Sequence, residues 1–326
     1  MRAPKFWDFG AGGAFLPALL GPFEAITAAV TARRVTRVGW RAPVPVICCG
    51  NASVGGAGKT TLALDLGRRL RARGANIAFL TRGHGGRGDK NPIGVRPARD
   101  SAKKVGDEAL LLAAVAPTFV AADRAAAARA AIADGASILV MDDGLQNPTL
   151  EKTISLLVVD GEAWFGNGRL LPAGPLREPV AAAARRCAAA VLIGPDRTDS
   201  LARLPPSLPV LRASLRSAFD PGAFGGKKLV AFAGIGRPEK FFSSLEARGA
   251  ELAAHKSFPD HHRYTQRDLA KLLDLAERIG AIAVTTPKDF TRLPLGSADR
   301  VRAVDVDLIW DDPGEIERLL DGILAR

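Results

Sequence analysis

Val46-Ile47-Cys48-Cys49-Gly50-Asn51-Ala52-Ser53-Val54-Gly55-Gly56-Ala57-Gly58-Lys59-Thr60-Thr61 opens as an apolar run, breaks into glycines and closes on Gly-Lys-Thr. The helix-prone Leu62-Ala63-Leu64-Asp65-Leu66 follows directly. A strand, a glycine loop and a helix in that order cradle a nucleotide's phosphates. The glycines let backbone N–H groups turn inward, and the new helix adds its positive N-terminal end. The pattern predicts nucleotide contacts at Ser53, Val54, Gly55, Gly56, Ala57, Gly58, Lys59, Thr60 and Thr61. Lys59 should reach the β- and γ-phosphates of ATP, and the Thr60 hydroxyl should hold Mg²⁺. The first glycine of G-x-x-x-x-G-K-[ST] falls at Ser53, so the strict pattern is missed by one residue. A chance Gly-Lys-Thr is the alternative in a chain with 34 glycines. The flanking strand and helix decide against it.

The 326 residues suffice for about two domains and a real core. Apolar residues make up 47%, too many for a disordered chain. The net charge of +11 is carried mainly by arginine, 33 of the 45 basic residues. Such a surplus suits nucleic acid, an anionic membrane or an acidic substrate, and equally an Arg- and Ala-rich proteome. No fixed-period repeat stands out. The three cysteines fit a reducing compartment. Cys48 and Cys49 point to opposite faces of a strand and Cys187 stands alone, so neither a metal knuckle nor a disulfide framework is present.

Residues Ala14 to Ala32 carry Glu24 as their one ionisable group. The length is borderline for a membrane span, and Pro17, Gly21, Pro22 and Glu24 argue against one. On a helical wheel Phe15, Leu19, Phe23, Ile26 and Val30 share a face, with Arg33, Arg34, Arg37 and Arg41 just beyond. That is the profile of an amphipathic helix lying in a membrane interface. A helix packed on the protein's own core, or one that docks on the body and also dips into lipid, fits the same pattern. A signal peptide does not suit a chain whose phosphate loop needs cytosolic ATP.

Farther along, strands alternate with helices: a helix over Thr61 to Arg73, strands at Asn76 to Thr81, Thr118 to Ala121, Ser137 to Met141 and Ile154 to Val159, and helices from Gly106 and over Asp123 to Asp134. This implies a parallel sheet covered on both faces, with ligands beyond the carboxyl ends of its strands. The Pro-rich 205–209 and Gly-rich 221–226 stretches flank a weak strand and read as a hinge. A second β-α-β-α-β unit follows from Lys228 to Thr285, then a strand near Val301 to Val306 and a helix from Pro313. The expected architecture is α/β: an N-terminal amphipathic, membrane-associated helix (1–36), a P-loop NTPase-like parallel-sheet domain (37–215) and a smaller C-terminal α/β domain (216–326).

Asp142-Asp143-Gly144-Leu145-Gln146 sits at the tip of a hydrophobic strand, where carboxylates hold or order Mg²⁺ beside a phosphate loop. Taken alone it is also a plain Asp-Gly turn. Asp107, in Gly106-Asp107-Glu108, reads from its position more readily as a helix cap than as a catalyst. His261 and His262 lack further ligands for a metal but suit acid–base or orienting work.

Together these segments resemble the tetraacyldisaccharide 4′-kinases, the lipid A 4′-kinases of Gram-negative bacteria. The resemblance lies in Gly50-Asn51-x-x-Val54-Gly55-Gly56-x-Gly58-Lys59-Thr60, Arg82-Gly83-x-Gly85-Gly86, Val105-Gly106-Asp107-Glu108 and Asp142-Asp143-Gly144-x-Gln146. It continues through residues 165–179, Phe-Gly-Asn-Gly-Arg-Leu-Leu-Pro-Ala-Gly-Pro-Leu-Arg-Glu-Pro, and in Phe258-Pro259-Asp260-His261-His262 and Thr285-Thr286-x-Lys288-Asp289. It implies an enzyme peripheral to the cytoplasmic face of the inner membrane. Such an enzyme moves the ATP γ-phosphate to the 4′-hydroxyl of a tetraacylated glucosamine disaccharide 1-phosphate, forming lipid IVA in lipid A biosynthesis. By resemblance Asp107 acts as base on the sugar hydroxyl and His261 pairs with it. Asp142, Asp143, Gln146 and Glu178 match positions near metal and nucleotide, and Arg82 and Arg124 match cations for the substrate phosphate. Asn147, His84 and Pro287 depart from residues common in the family.

Other classes fit less well. DNA-partitioning and metalloenzyme-maturing ATPases carry a signature lysine before the loop's glycines, where this chain has Val54. Zinc spacing, aromatic RNA-binding motifs and a basic recognition helix are lacking, so nucleic acid is not an expected partner. Pro287-Lys288-Asp289 is not the guanine-reading Asn-Lys-x-Asp of a GTPase.

Overall fold

The computed structural model describes residues 4–7, 15–55, 58–86, 91–162, 165–294, 296, 297 and 299–325. Along the chain come α1 (Phe15–Val35), β1 (Val46–Gly50), α2 (Lys59–Ala72), β2 (Ile77–Thr81), β3 (Ile93–Gly94), α3 (Ala102–Val105), α4 (Asp107–Ala113), β4 (Thr118–Val120), α5 (Arg124–Ala133), β5 (Ile138–Asp142) and β6 (Ile154–Asp160). Then follow α6 (Val180–Ala184), β7 (Ala189–Ile193), β8 (Val210–Ser217), β9 (Leu229–Ala233), α7 (Pro238–Glu246), β10 (Leu252–Ser257), α8 (Gln266–Arg278), β11 (Ile282–Thr285), α9 (Pro287–Phe290), β12 (Arg302–Ala303), β13 (Val306–Trp310) and α10 (Pro313–Leu324).

Nine strands form one sheet in the order β13-β8-β7-β6-β1-β5-β2-β4-β3. Its inner strands are parallel, and β3 and β13 close its two edges antiparallel. All five residues of β1 are buried, as a strand covered on both faces requires. Ile47 and Cys49 face a core built with Leu62, Leu66 and Leu70 of α2, while Cys48 faces the layer of Ala127, Ala128 and Ala131 of α5. Gly67 lets α2 lie close on the sheet, because a Cβ there would sit 2.3 Å from Phe79 Cζ.

The smaller sheet, β10-β9-β11-β12, is parallel throughout and covered by α7 and α8. It is not a C-terminal domain running to residue 326. The strand expected near 301–306 is two strands, one on each sheet, and the chain crosses over between Ala303 and Val306. β13 pairs antiparallel with β8, Val306 opposite Ser217 and Trp310 opposite Ala213. Ile316, Leu320 and Ile323 of α10 then complete the core under α2. An apolar helix face needs a partner, and here the core around the P-loop helix supplies it. The smaller unit is thus an insertion between β8 and β13. Arg237 and Lys240 of the smaller unit also form ion pairs with Asp160, the last residue of β6, and with Glu162 just beyond it.

α1 turns its polar side inward. Glu24 accepts from Arg169 Nε at 2.6 Å and from the Leu170 N–H at 3.2 Å. Thr27 and Thr31 donate to the Leu171 and Arg177 carbonyls at 2.6 and 3.0 Å. Phe15, Leu19, Phe23, Ile26 and Val30 are left exposed on the other side.

Candidate active site

β1 and β5 run side by side with Cys49 opposite Asp142, so the glycine loop and the Asp-Asp pair leave adjacent strand ends. α2 starts at Lys59 behind Gly58, whose φ is 87°. A side chain there would be strained and would meet Ile193 Cδ1 at 2.6 Å. Gly56 and Ala57 lie outside the described residues. Lys59 is buried, its Nζ 3.0 Å from Asn51 Oδ1, 3.2 Å from the Gly55 carbonyl and 3.8 Å from Asp143. Burial lowers its pKa, with Asp143 opposing that effect.

Thr60 Oγ1 donates to Asp142 Oδ2 at 2.9 Å. Asp142 is 2% exposed, and burial with the adjacent Asp143 pushes its carboxyl up to about 6. Its Oδ1 is buried without a hydrogen-bond partner. A buried, orphaned carboxylate oxygen next to a threonine hydroxyl is a donor set suited to a hard divalent cation such as Mg²⁺. Asp143, at φ 51°, turns to Arg177, which grips it with two bonds of 2.8 and 3.0 Å. Burial alone would raise the Asp143 carboxyl, but Lys59 and Arg177 hold it below its ordinary value. Gln146 Nε2 donates to the Asn51 carbonyl and to Glu178, both at 2.8 Å, and Arg186 closes on Glu178 at 2.7 Å. Of the five expected metal-site residues, Thr60 and Asp142 are thus joined directly. Asp143 is held by cations, and Gln146 with Glu178 braces the loop behind them.

A second cluster joins the two sheets. Asp107, first residue of α4, is 4% exposed. Its Oδ2 lies 3.1 Å from His261 Nδ1, 3.1 Å from Arg292 Nε and 3.9 Å from Lys288 Nζ. Those three side chains come from the smaller unit. Burial would raise the Asp107 carboxyl, but His261, Glu108, Lys288 and Arg292 together hold it far below the carboxylate range. Glu108 goes the other way, pushed up to about 7 by burial and by Asp107, although Lys288 sits on it at 2.7 Å. Asp107, Glu108 and His261 could gather around a metal ion by distance. Two cations already occupy that space, so the cluster reads as an ionic joint rather than a metal site.

His262 binds Asp268 at 3.2 Å and stacks on Phe258, a role in the fold of the smaller unit. Arg82 is exposed at the end of β2. Arg124 corrects an expectation. It is 1% exposed, its guanidinium donates to the Ala121 carbonyl, and burial lowers its pKa to about 10. In this conformation it is a fixed charge behind Asp142 and Asp143, too enclosed to touch a substrate phosphate.

Residues 16–325 match the family model described as Tetraacyldisaccharide-1-P 4'-kinase. The chain belongs to the tetraacyldisaccharide 4′-kinase family. The curated Tetraacyldisaccharide 4'-kinase of Gluconacetobacter diazotrophicus is 59% identical over 322 residues, covering 98% of each chain. That of Rhodospirillum centenum is 51% identical over 331 residues, covering 100% of this chain and 97% of its own. Among solved structures, LpxK from Aquifex aeolicus in complex with ATP superposes with a TM-score of 0.77 at 25% identity, over 95% of this chain and 99% of its own. Sequence reasoning gave this kinase no role for Asn51, Arg177, Lys288 or Arg292. The first three stand within or beside quoted motifs. Arg292 carried no signal among 33 arginines.

Proposed function

We propose that the chain is an ATP-dependent lipid kinase. It transfers the γ-phosphate of ATP to the 4′-hydroxyl of tetraacyldisaccharide 1-phosphate, forming lipid IVA. The observation that carries this reading is the meeting of two clusters: a phosphate loop with its strand-tip carboxylate, and a pair assembled from both sheets, the buried Asp107 and the part-exposed His261. Phosphoryl transfer to a sugar hydroxyl needs both, charge neutralisation at the phosphates and a proton acceptor beside the hydroxyl.

Lys59 and the loop N–H groups bind the triphosphate, with Lys59 exchanging Asn51 and Gly55 for phosphate oxygens. Thr60 and Asp142 would hold Mg²⁺, with Asp143, Gln146 and Glu178 shaping their surroundings. The ion, when bound, neutralises charge on the β- and γ-phosphates. Asp107 accepts the hydroxyl proton, and His261 orients it. Because His261 arrives with the smaller unit, the base is complete only when the two units are together. Arg82, exposed at the rim, suits the acceptor's phosphate.

The same reading gives α1 a purpose. Its body-facing side is hydrogen-bonded to residues 169–177, and its outer side presents six large apolar side chains, Leu16 among them. Exposed Arg33, Arg34, Arg37 and Arg41 follow. That supports a helix docked on the body and seated in the cytoplasmic surface of the inner membrane, where an acylated substrate resides. The deciding experiment is transfer of labelled γ-phosphate from ATP to detergent-dispersed tetraacyldisaccharide 1-phosphate. Absence of labelled lipid product from folded, ATP-binding protein refutes the assignment.

A further inference from the structure

The two oxygens of Asp107 are not equivalent. Oδ2 receives His261 Nδ1 and Arg292 Nε, each at 3.1 Å, with Lys288 Nζ at 3.9 Å. A carboxylate oxygen has about two lone-pair sites, so these donors fill it. Among the described residues Oδ1 accepts the backbone N–H of Glu108 at 3.2 Å, with the Glu108 carboxyl beside it and no cation from the smaller unit on it. Arg292 is itself rigidly mounted. Its guanidinium donates to the Gly234 carbonyl at 2.9 Å and lies 3.4 Å from Asp289 Oδ1, with its side chain 4% exposed. Asp289 is fixed in turn by the Gly234 N–H, Tyr264 and Thr286.

We infer that Arg292 is a positioning residue for the phosphoryl transfer: it pins Asp107 Oδ2 across the two units and leaves Oδ1 as the oxygen that takes the hydroxyl proton. This rests on the reading of Asp107 as the base. In the step, the sugar oxygen bonds to the γ-phosphorus and the bond from that phosphorus to the β-bridging oxygen breaks. The electron pair leaves with ADP, and the hydroxyl proton goes to Oδ1.

Asp107 is buried, which would raise its carboxyl, and His261, Lys288 and Arg292 from the smaller unit hold it below the carboxylate range instead. The surrounding charges are Glu108 on its own helix, Lys59 facing Glu108, and Asp260 and His84 around His261. A strongly held carboxylate is a weak base. The loose transition state of phosphoryl transfer asks for little proton removal before the phosphorus–oxygen bond breaks, so position matters more than basicity.

The test is a cycle of Arg292→Gln, Arg292→Lys and Asp107→Asn, read as kcat and both KM values in labelled phosphate transfer. Arg292→Gln should cut kcat by ~10–100-fold with the KM for ATP unchanged, and Arg292→Lys, which keeps the charge, should recover much of that loss. In the Asp107→Asn background neither change should lower kcat further. Equal fractional losses in both backgrounds would overturn the inference, since Arg292 would then act on something other than Asp107. If Arg292→Gln does not fold, Arg292→Met, which keeps the length but not the charge, takes its place in the cycle. Full turnover by Asp107→Asn by itself would instead sink the base assignment, a separate failure.

Discussion

Replacing Leu19 and Phe23 by serine should detach the protein from membranes without unsettling its fold. The two side chains are 62% and 53% exposed, so they contribute little to the core. Fully burying such a side chain gives ~1.5–3 kcal/mol. Scaling by the exposed fractions leaves about 2 kcal/mol for the pair, a weakening of lipid partitioning of roughly 30-fold. The polar anchors of α1 are untouched, because Glu24, Thr27 and Thr31 face the body. The assay is sedimentation with phosphatidylethanolamine–phosphatidylglycerol vesicles, alongside thermal melting and ATP binding. Transfer to a detergent-dispersed acceptor should fall less than transfer to an acceptor embedded in vesicles. Unchanged vesicle binding would refute the interfacial role of this face. A Tm lowered by several degrees would show that these side chains support the fold.

Lys59→Ala should abolish transfer while the melting temperature stays near wild type, since the amine's partners are the loop's own acceptors and Asp143. Asp142→Ala should raise the Mg²⁺ concentration for half-maximal activity or eliminate turnover, and an unchanged Mg²⁺ titration would reduce the residue to a turn. Asp107→Asn and His261→Ala should each lower kcat by ~10²–10⁴ with little effect on ATP affinity. The double mutant should be little worse than the poorer single, and multiplicative losses would separate the two roles. Glu108 is held up near 7 in the fold against ~4.3 when unfolded, so its ionisation costs stability progressively as pH rises between those values. Glu108→Gln should therefore raise Tm relative to wild type more at pH 8 than at pH 5, and an equal difference at both would contradict the buried-carboxyl account.

The local sequence determined each element whose signal is local. The buried run Val46–Gly50, the glycines before Lys59 and the apolar spacing of Leu62, Leu66 and Leu70 announce strand, loop and helix because backbone geometry and solvent exposure act residue by residue. β7 and α6 were missed because an alanine-rich stretch reads equally as helix or strand. The sequence also marked both faces of α1 but not their roles. Nothing local says that the face with Glu24, Thr27 and Thr31 is the one the body holds. That depended on donors at 169–170 and acceptors at 171 and 177, far along the chain. The return of β13 and α10 to the larger sheet was hidden for the same reason. An apolar helix face records that it needs a partner, not which one. The base cluster went furthest beyond sequence. Asp107 and Arg292 are 185 positions apart, and only tertiary packing brings Nε within 3.1 Å of Oδ2. Local propensity fixes which segments form, whereas ionic contacts between segments exist only after the chain has paid the entropy of bringing distant residues together.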